Sequence, residues 1–291
     1  MSRYLIVNAD DYGMCHAANQ AVHDLFDGGF LKSSTIMMPC PAAKEAVEYA
    51  AAHPQHAIGV HLTFTSEWDT YRWPALTDGK TLVDEDGFMW RQRIQVEKNV
   101  TMKEIEAEAR AQIELARSWG LSPSHFDNHM GTLYGHYTGR FGLLKLALRL
   151  SGEYGLSYRM FTRCTESTCP KGIPLPVCKA LALLARFWAR CFHTVLPDYL
   201  LLPEWTDDMR TDYETYREKL LATWAAIPEG ITETYVHPSV ECDELKAIMV
   251  HWRDRVWEYQ LMKDPYTHEF LKKQDIVLIS HRELREMKGK K

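Results

Sequence analysis

Short apolar runs alternate along this chain with longer amphipathic ones, and that alternation restricts the fold more than any other property of the sequence. Tyr4 to Val7, Ser33 to Met38, Ala57 to Thr65, Ser124 to Asn128, Leu156 to Phe161, Thr232 to Val236 and Ile276 to Ser280 read as strands. Between them, His16 to Gly28, Pro41 to His53, Thr101 to Trp119 and Phe141 to Tyr154 read as helices. Thr101 and Glu104 make a capping box that opens the third of these, and Gly120 stops it. Strands and helices taking turns predict a mostly parallel sheet with right-handed crossovers. About seven strands in 291 residues point to closure rather than an open sheet. The expected fold class is therefore α/β, a distorted (β/α) barrel.

One domain spanning 1–291 is expected, with two interruptions. Residues 66–100 are polar, turn at Gly79 and Gly87, and read as a loop insertion exposing Trp68, Trp73 and Trp90. Residues 165–210 read as a helical insertion, in which Pro170, Pro174 and Pro176 precede an apolar helix from Val177 to Leu196. Lys179, Arg186 and Arg190 fall on one face of that helix, which makes it amphipathic rather than a membrane span. It could cap the barrel, pair with another subunit in a homo-oligomer, or close over a substrate.

The formal net charge of -5, with no basic block before Lys288 to Lys291, gives no support for a nucleic-acid partner. The N-terminus enters a strand at once, without the charged, apolar and small-residue regions of a signal peptide, so a cytoplasmic chain with no membrane anchor is expected. The seven cysteines include no Cys-x-x-Cys pair. Cys164 and Cys169 stand close enough for a zinc pair, but no second pair has matching spacing. Cysteine chemistry is not expected to be central.

The ionisable residues are more telling. Asp10 and Asp11 end the first strand, His61 lies in the third, and His125, Asp127 and His129 fall at the end of the fourth. Arg159 is in the fifth, and Glu233 and His237 bracket the sixth. In parallel α/β folds all strand C-termini open onto one face, where catalytic groups gather. Each residue also has a plainer reading: Asp10 and Asp11 as an exposed turn, His61 as a hydrogen-bonded core residue, Asp127 as part of a structural network. Taken together they suggest one Asp and two His around a divalent ion with open positions. Asp11, His61 and His129 are the simplest choice, with Asp10 as base and His237 as acid. Such a set suits hydrolysis of an amide or an ester. Asp127, between two imidazoles, could orient them.

Several motifs then stand in a familiar order. Asn8-Ala9-Asp10-Asp11-Tyr12-Gly13, Gly59-x-His61-Leu62, His125-Phe126-Asp127-Asn128-His129 and Val236-His237-Pro238 resemble the YdjC/ChbG family of carbohydrate deacetylases. Arg255-Val256-Trp257-Glu258 and the stretch from Ile276 to Leu284 fit it too. The resemblance implies a distorted barrel that removes acetyl groups from N-acetylated sugars with one divalent metal. It implies Asp11, His61 and His129 as ligands, Asp10 as base and His237 as acid. It also places Arg159 near the site, to hold the base or the substrate, and His125 and Asp127 are assigned with it to substrate binding. The ion is Mg²⁺ by resemblance, whereas two imidazoles and a carboxylate suit Zn²⁺ or another transition ion on ligand chemistry. After the third motif the chain departs from the family's histidine run, reading Met130-Gly131-Thr132-Leu133-Tyr134-Gly135-His136, which implies a differently shaped groove. Aromatic residues of 66–100 could stack on sugar faces, and Pro203-Glu204-Trp205 could add a rim contact. A metal hydrolase of another amide or ester and a non-catalytic sugar-binding barrel are the competing readings.

Overall fold

The computed structural model describes residues 2–289. β1 (Arg3–Tyr12) leads into α1 (His16–Asp27), β2 (Ser33–Ile36) into α2 (Ala43–Ala52), and β3 (Ala57–Leu62) into α3 (Arg93–Asn99) and α4 (Met102–Ser118). β4 (His125–Asn128) precedes α5 (Gly142–Tyr154), β5 (Ser157–Tyr158) precedes α6 (Leu175–Phe192), and β6 (Tyr199–Leu200) precedes α7 (Tyr213–Ala225). β7 (Gly230–Val236), α8 (Asp243–Ile248), α9 (Trp252–Lys263), α10 (Pro265–Lys273), β8 (Ile276–Leu278) and α11 (His281–Lys288) follow.

Among the described residues every strand pairing is parallel, in the order β5-β4-β3-β2-β1-β7-β6, with β8 also on β1. A parallel bridge between Ser157 and Val195 draws the β5 edge toward the segment before β6, and the sheet curls into a barrel-like α/β fold. β2 and β3 are buried along their whole length, as strands covered on both faces must be. Gly59 is required in β3, because a Cβ there would collide with the carbonyl of His125 on β4.

The expected strands are all present, several of them shorter. β6 is additional, and it lies in the stretch read as a helical insertion. Two residues carry no periodicity, so nothing local marks them as a strand. α6 ends at Phe192 rather than Leu196, because His193 adopts φ 56° and turns the chain left-handed. Lys179, Arg186 and Arg190 are exposed on one side of α6, as its amphipathic pattern requires. No helix among the described residues is long and apolar enough to cross a membrane.

The 66–100 stretch differs from its expectation. Trp73 is buried, packs with Met14, Cys15, Met37 and Met89, and donates its indole N–H to the Thr65 carbonyl at 2.9 Å. Trp90 is half-buried and donates to the Thr81 carbonyl at 2.8 Å. Trp73 serves packing, since a Trp buried with its N–H satisfied has no face left for a sugar. Trp205 stacks flat on Tyr216 at 4.4 Å, whereas Pro203 and Glu204 before it line the cavity at the strand ends.

Candidate active site

A regular strand sends neighbouring side chains to opposite faces, so adjacent Asp10 and Asp11 should diverge. They do not, because the register of β1 against β2 shifts between Ala9 and Tyr12, and Asp11 sits at φ 58°. This irregularity turns both carboxylates toward the mouth at the strand C-termini, where both line one cavity. Left-handed backbone is costly for most residues but comparatively tolerable for Asp. Gly13 completes the turn at φ 85°, where a Cβ would lie 3.1 Å from the Ala43 Cα.

Three atoms meet at the centre. Asp11 Oδ1 is 3.4 Å from His61 Nε2 and 3.2 Å from His129 Nδ1, and the two imidazole nitrogens are 3.3 Å apart. Each ring is held from behind. His61 Nδ1 is 2.6 Å from Asp127 Oδ1, and His129 Nε2 lies 3.1 Å from both oxygens of Glu67. With the outer nitrogens donating to those carboxylates, the inner nitrogens of the neutral rings present lone pairs. Asp11 Oδ1 is buried and makes no hydrogen bond despite both rings being so close. Three acceptor atoms facing one another in a dry site need a compensating positive charge, either a bound cation or protons on the imidazoles. A tetrahedral ion with bonds of about 2.0–2.1 Å spaces its ligands about 3.4 Å apart, so the triangle fits one without rearrangement. Asp10, His61 and Asp127 also cluster, but the Arg159 guanidinium already occupies that space.

Charge is arranged accordingly. Burial pushes the Asp11 carboxyl up, but Arg255, whose Nη2 is 2.6 Å from Oδ2, and His129 hold it well below the usual range. Burial opposes protonation of His61, yet Asp127 and Asp10 pull it up to about 9. For His129, Glu67 and Asp11 outweigh burial and raise it to about 10. A folded pKa above the ordinary 6.5 means the stabilisation is complete below that value and lost as pH rises through about 9 to 10. Thermal midpoints measured in EDTA should therefore fall across that window. Saturating divalent cation should flatten the fall, and superimposable curves with and without it would dissociate the imidazoles from cation binding.

Asp10 lies beside this centre. Arg159 donates from Nη1 and Nη2 to its two oxygens, both at 2.6 Å, and Asn8 Nδ2 adds a bond of 2.8 Å. Burial raises the Asp10 carboxyl, but Arg159 and His61 bring it below its ordinary value, so it stays an acceptor. Arg159 also donates from Nε to Glu233 at 2.6 Å and pairs with Asp127 at 2.8 Å. Its donors are thus largely committed to three carboxylates. It borders the cavity but is held chiefly against Asp10 and its neighbouring carboxylates, which leaves little of it to meet a substrate.

His125 and Asp127 are placed differently from their expected role. Both are wholly buried, and neither lines the cavity. Asp127 is enclosed by His61, Arg159 and the Thr35 hydroxyl at 3.0 Å. His125 bonds Ser124 at 2.8 Å and Asn8 at 3.1 Å and stacks on His281 at 3.8 Å, while burial and the neighbouring His281 and Arg159 keep it neutral. They support the walls rather than the cavity surface.

His237 follows β7, one residue beyond the Ala9–Val236 pair, so it stands alongside Asp10 and lines the same cavity. Glu258 accepts from the His237 backbone N–H at 2.6 Å and lies 3.6 Å from its Nδ1. Glu67, Arg255 and Glu258 are the site residues that sequence reasoning missed. Arg255 and Glu258 belong to a stretch that resembles the family and stand i, i+3 on α9, yet neither carried a role in sequence. Glu67 stands in a loop with no periodicity at all. Changing Glu67→Gln, which keeps shape and removes charge, should weaken divalent-cation binding about 10–100-fold, the usual effect of losing a carboxylate behind a ligand imidazole. Calorimetric titration reads this directly, and an unchanged Kd would deny Glu67 that part.

The cavity has a volume of about 760 Å³ and also takes Trp68, Tyr134 and Tyr235 into its wall. That is a volume suited to a small organic substrate. Fold and site together define an α/β barrel-like protein with a carboxylate–imidazole centre at the open strand ends. The pattern of the YdjC-like proteins matches residues 4–273, and the chain belongs to that family. A carbohydrate deacetylase of Thermoanaerobacter pseudethanolicus is 26% identical over 281 residues, 96% of this chain and 98% of its own length. One from Listeria monocytogenes is 26% identical over 286 residues, with 96% and 99% covered. A crystal structure from Enterococcus faecalis, described as a cellobiose-phosphate cleavage protein, superposes with a TM-score of 0.73 at 26% identity, covering 98% of this chain and 99% of that one.

Proposed function

We propose that this protein is a divalent-metal-dependent carbohydrate N-deacetylase, which hydrolyses the acetamide of an N-acetylated sugar to acetate and an amine. The triangle of Asp11 Oδ1, His61 Nε2 and His129 Nδ1 carries this reading, supported by full-length relatives named carbohydrate deacetylases. These three residues would hold the ion, for which the donor set suits zinc or another transition metal and the family resemblance points to magnesium. When bound, the ion supplies Lewis acidity to the acetyl carbonyl and to the attacking water.

The chain's own groups do the rest. Asp10, kept ionised and fixed in orientation by Arg159 and Asn8, accepts the proton of the attacking water. His237 donates a proton to the nitrogen as its bond to the acetyl carbon breaks, steadied by Glu258. Trp68, half-buried on the cavity wall, offers the face on which a pyranose could stack. The work is that of a cytoplasmic enzyme on a soluble sugar.

Acetate release from a panel of N-acetylated mono- and oligosaccharides, against acyl esters, tests the reading with several divalent ions present. Turnover of esters alone would make it a different hydrolase. Sugar binding without acetate release under every ion would make it a binding protein. His237→Ala should leave metal content intact and lower turnover roughly 10²–10⁴-fold, the usual scale for a lost general acid. Wild-type turnover in that variant would remove His237 from the reaction.

A further inference from the structure

A second cluster of metal-binding side chains lies outside this centre. Cys164, in the loop after β5, Cys169, at the end of a short turn, and Cys178, in the first turns of α6, bring their sulfurs within 4.8 Å of one another. Cys164 and Cys178 are buried, with their sulfurs 2.6 Å apart, and Cys169 is half-buried. In sequence only the first two are close neighbours. The third arrives because the intervening loop folds back on itself.

The place of the cluster gives it consequence. Cys164 follows Thr162 and Arg163, whose backbone N–H groups bond the Asp198 carbonyl at 3.0 and 2.8 Å and tie this side to the barrel. From Thr165 to Cys178 the described backbone hydrogen bonds close within the segment, as in Ile173 to Pro170 and Cys178 to Pro174. Pro170, Lys171, Gly172 and Ile173 of this loop, with Cys178 itself, form part of the wall of the substrate cavity. Beyond the segment, that wall is held by side chains: the exposed Lys171–Glu204 ion pair at 2.6 Å and the packing of Ile173 and Leu175 on the core.

We infer that Cys164, Cys169 and Cys178 form a second cation site, for a thiophilic ion of the zinc class, which fastens the 165–177 loop to the barrel beside the cavity. Three converging sulfurs are a ligand set, whereas a disulfide would use only two of them. Burial pushes the Cys164 and Cys178 thiols up, so their protons leave to solvent only as the ion binds. Zinc–sulfur bonds of about 2.3 Å space tetrahedral ligands about 3.8 Å apart, so the Cys164–Cys178 pair opens by about 1 Å to admit the ion. The fourth position falls to water, reached from the cavity side that Cys178 borders.

The full chain, kept under reductant and titrated with Co²⁺, should show a thiolate-to-cobalt charge-transfer band in the near ultraviolet. Asp11, His61 and His129 contain no sulfur and cannot produce one, so Asp11→Asn should keep the band even if the proposed catalytic centre holds no metal. Cys178→Ser and Cys164→Ser should each lose it. Wild-type protein avoids any question of whether those variants fold: Zn²⁺ should shield Cys164, Cys169 and Cys178 from alkylation while exposed Cys191 reacts regardless, as mapped by peptide mass spectrometry. No band in reduced wild type, a band that survives both serine variants, or no zinc-dependent shielding would overturn the inference. So would recovery of Cys164 and Cys178 only as a disulfide from protein alkylated before reduction.

Discussion

Asp11→Asn should yield a folded chain whose Asp11–His61–His129 centre holds no divalent cation and whose turnover falls by at least roughly 10²–10³-fold, the cost of losing a single oxyanion-stabilising contact. Asp11 is the only carboxylate of the triangle, and its Oδ1 is the atom with no other partner. The amide removes the negative charge that makes cation capture favourable. It also frees Arg255, whose guanidinium at 2.6 Å is neutralised by Asp11, to repel any incoming ion. Both effects act in the same direction. Dialysis against divalent ions followed by elemental analysis reads the result, with circular dichroism as the check on folding. Metal content equal to wild type would remove Asp11 from the ligand set and, with it, the proposed chemistry.

Arg159→Met should destabilise the fold by about 3–5 kcal/mol, the scale for stranding buried charge by deleting its partner. Arg159 faces Asp10, Asp127 and Glu233, all buried, and among the described residues no other Arg or Lys pairs with them. The sign of the pH dependence follows. In wild type, Asp10 and Glu233 have depressed folded pKa values, set by burial on one side and chiefly by Arg159 and by His281 and Arg159, respectively, on the other. Their contribution is present above the ordinary carboxylate pKa and lost as pH falls through the folded one. Without the guanidinium, burial raises those pKa values, so the variant takes up protons first and its deficit narrows as pH drops from neutral. Urea unfolding of both proteins at neutral and mildly acidic pH measures the gap. A constant gap would mean the arginine acts by packing alone.

Much of this was legible before any coordinates. Seven apolar runs between helical stretches marked a parallel α/β sheet, and a parallel sheet places every strand's C-terminal end at one mouth. Asp10, Asp11, His61, His129, Arg159 and His237 could be grouped from their positions at those ends. β6 could not be read because two residues have no period. Trp73 looked exposed because its surroundings in sequence are polar, while the residues that bury it, such as Met14 and Met37, come from elsewhere. Glu67 was silent for the same reason, since it meets His129 across 62 residues of chain.

The sequence by itself determined the class of fold and which side chains would share the strand-end mouth. Strand periodicity and connection handedness are local properties that one dimension records. Only the tertiary structure decided orientation: the irregularity at Asp11 that turns two adjacent acids the same way, the guanidinium that fills one carboxylate cluster and leaves the neighbouring triangle free of it, and the burial that withdraws His125 and Asp127 from the cavity. Those outcomes depend on contacts between residues far apart in the chain, and their energies come from desolvation and pairing that exist only once the chain is packed.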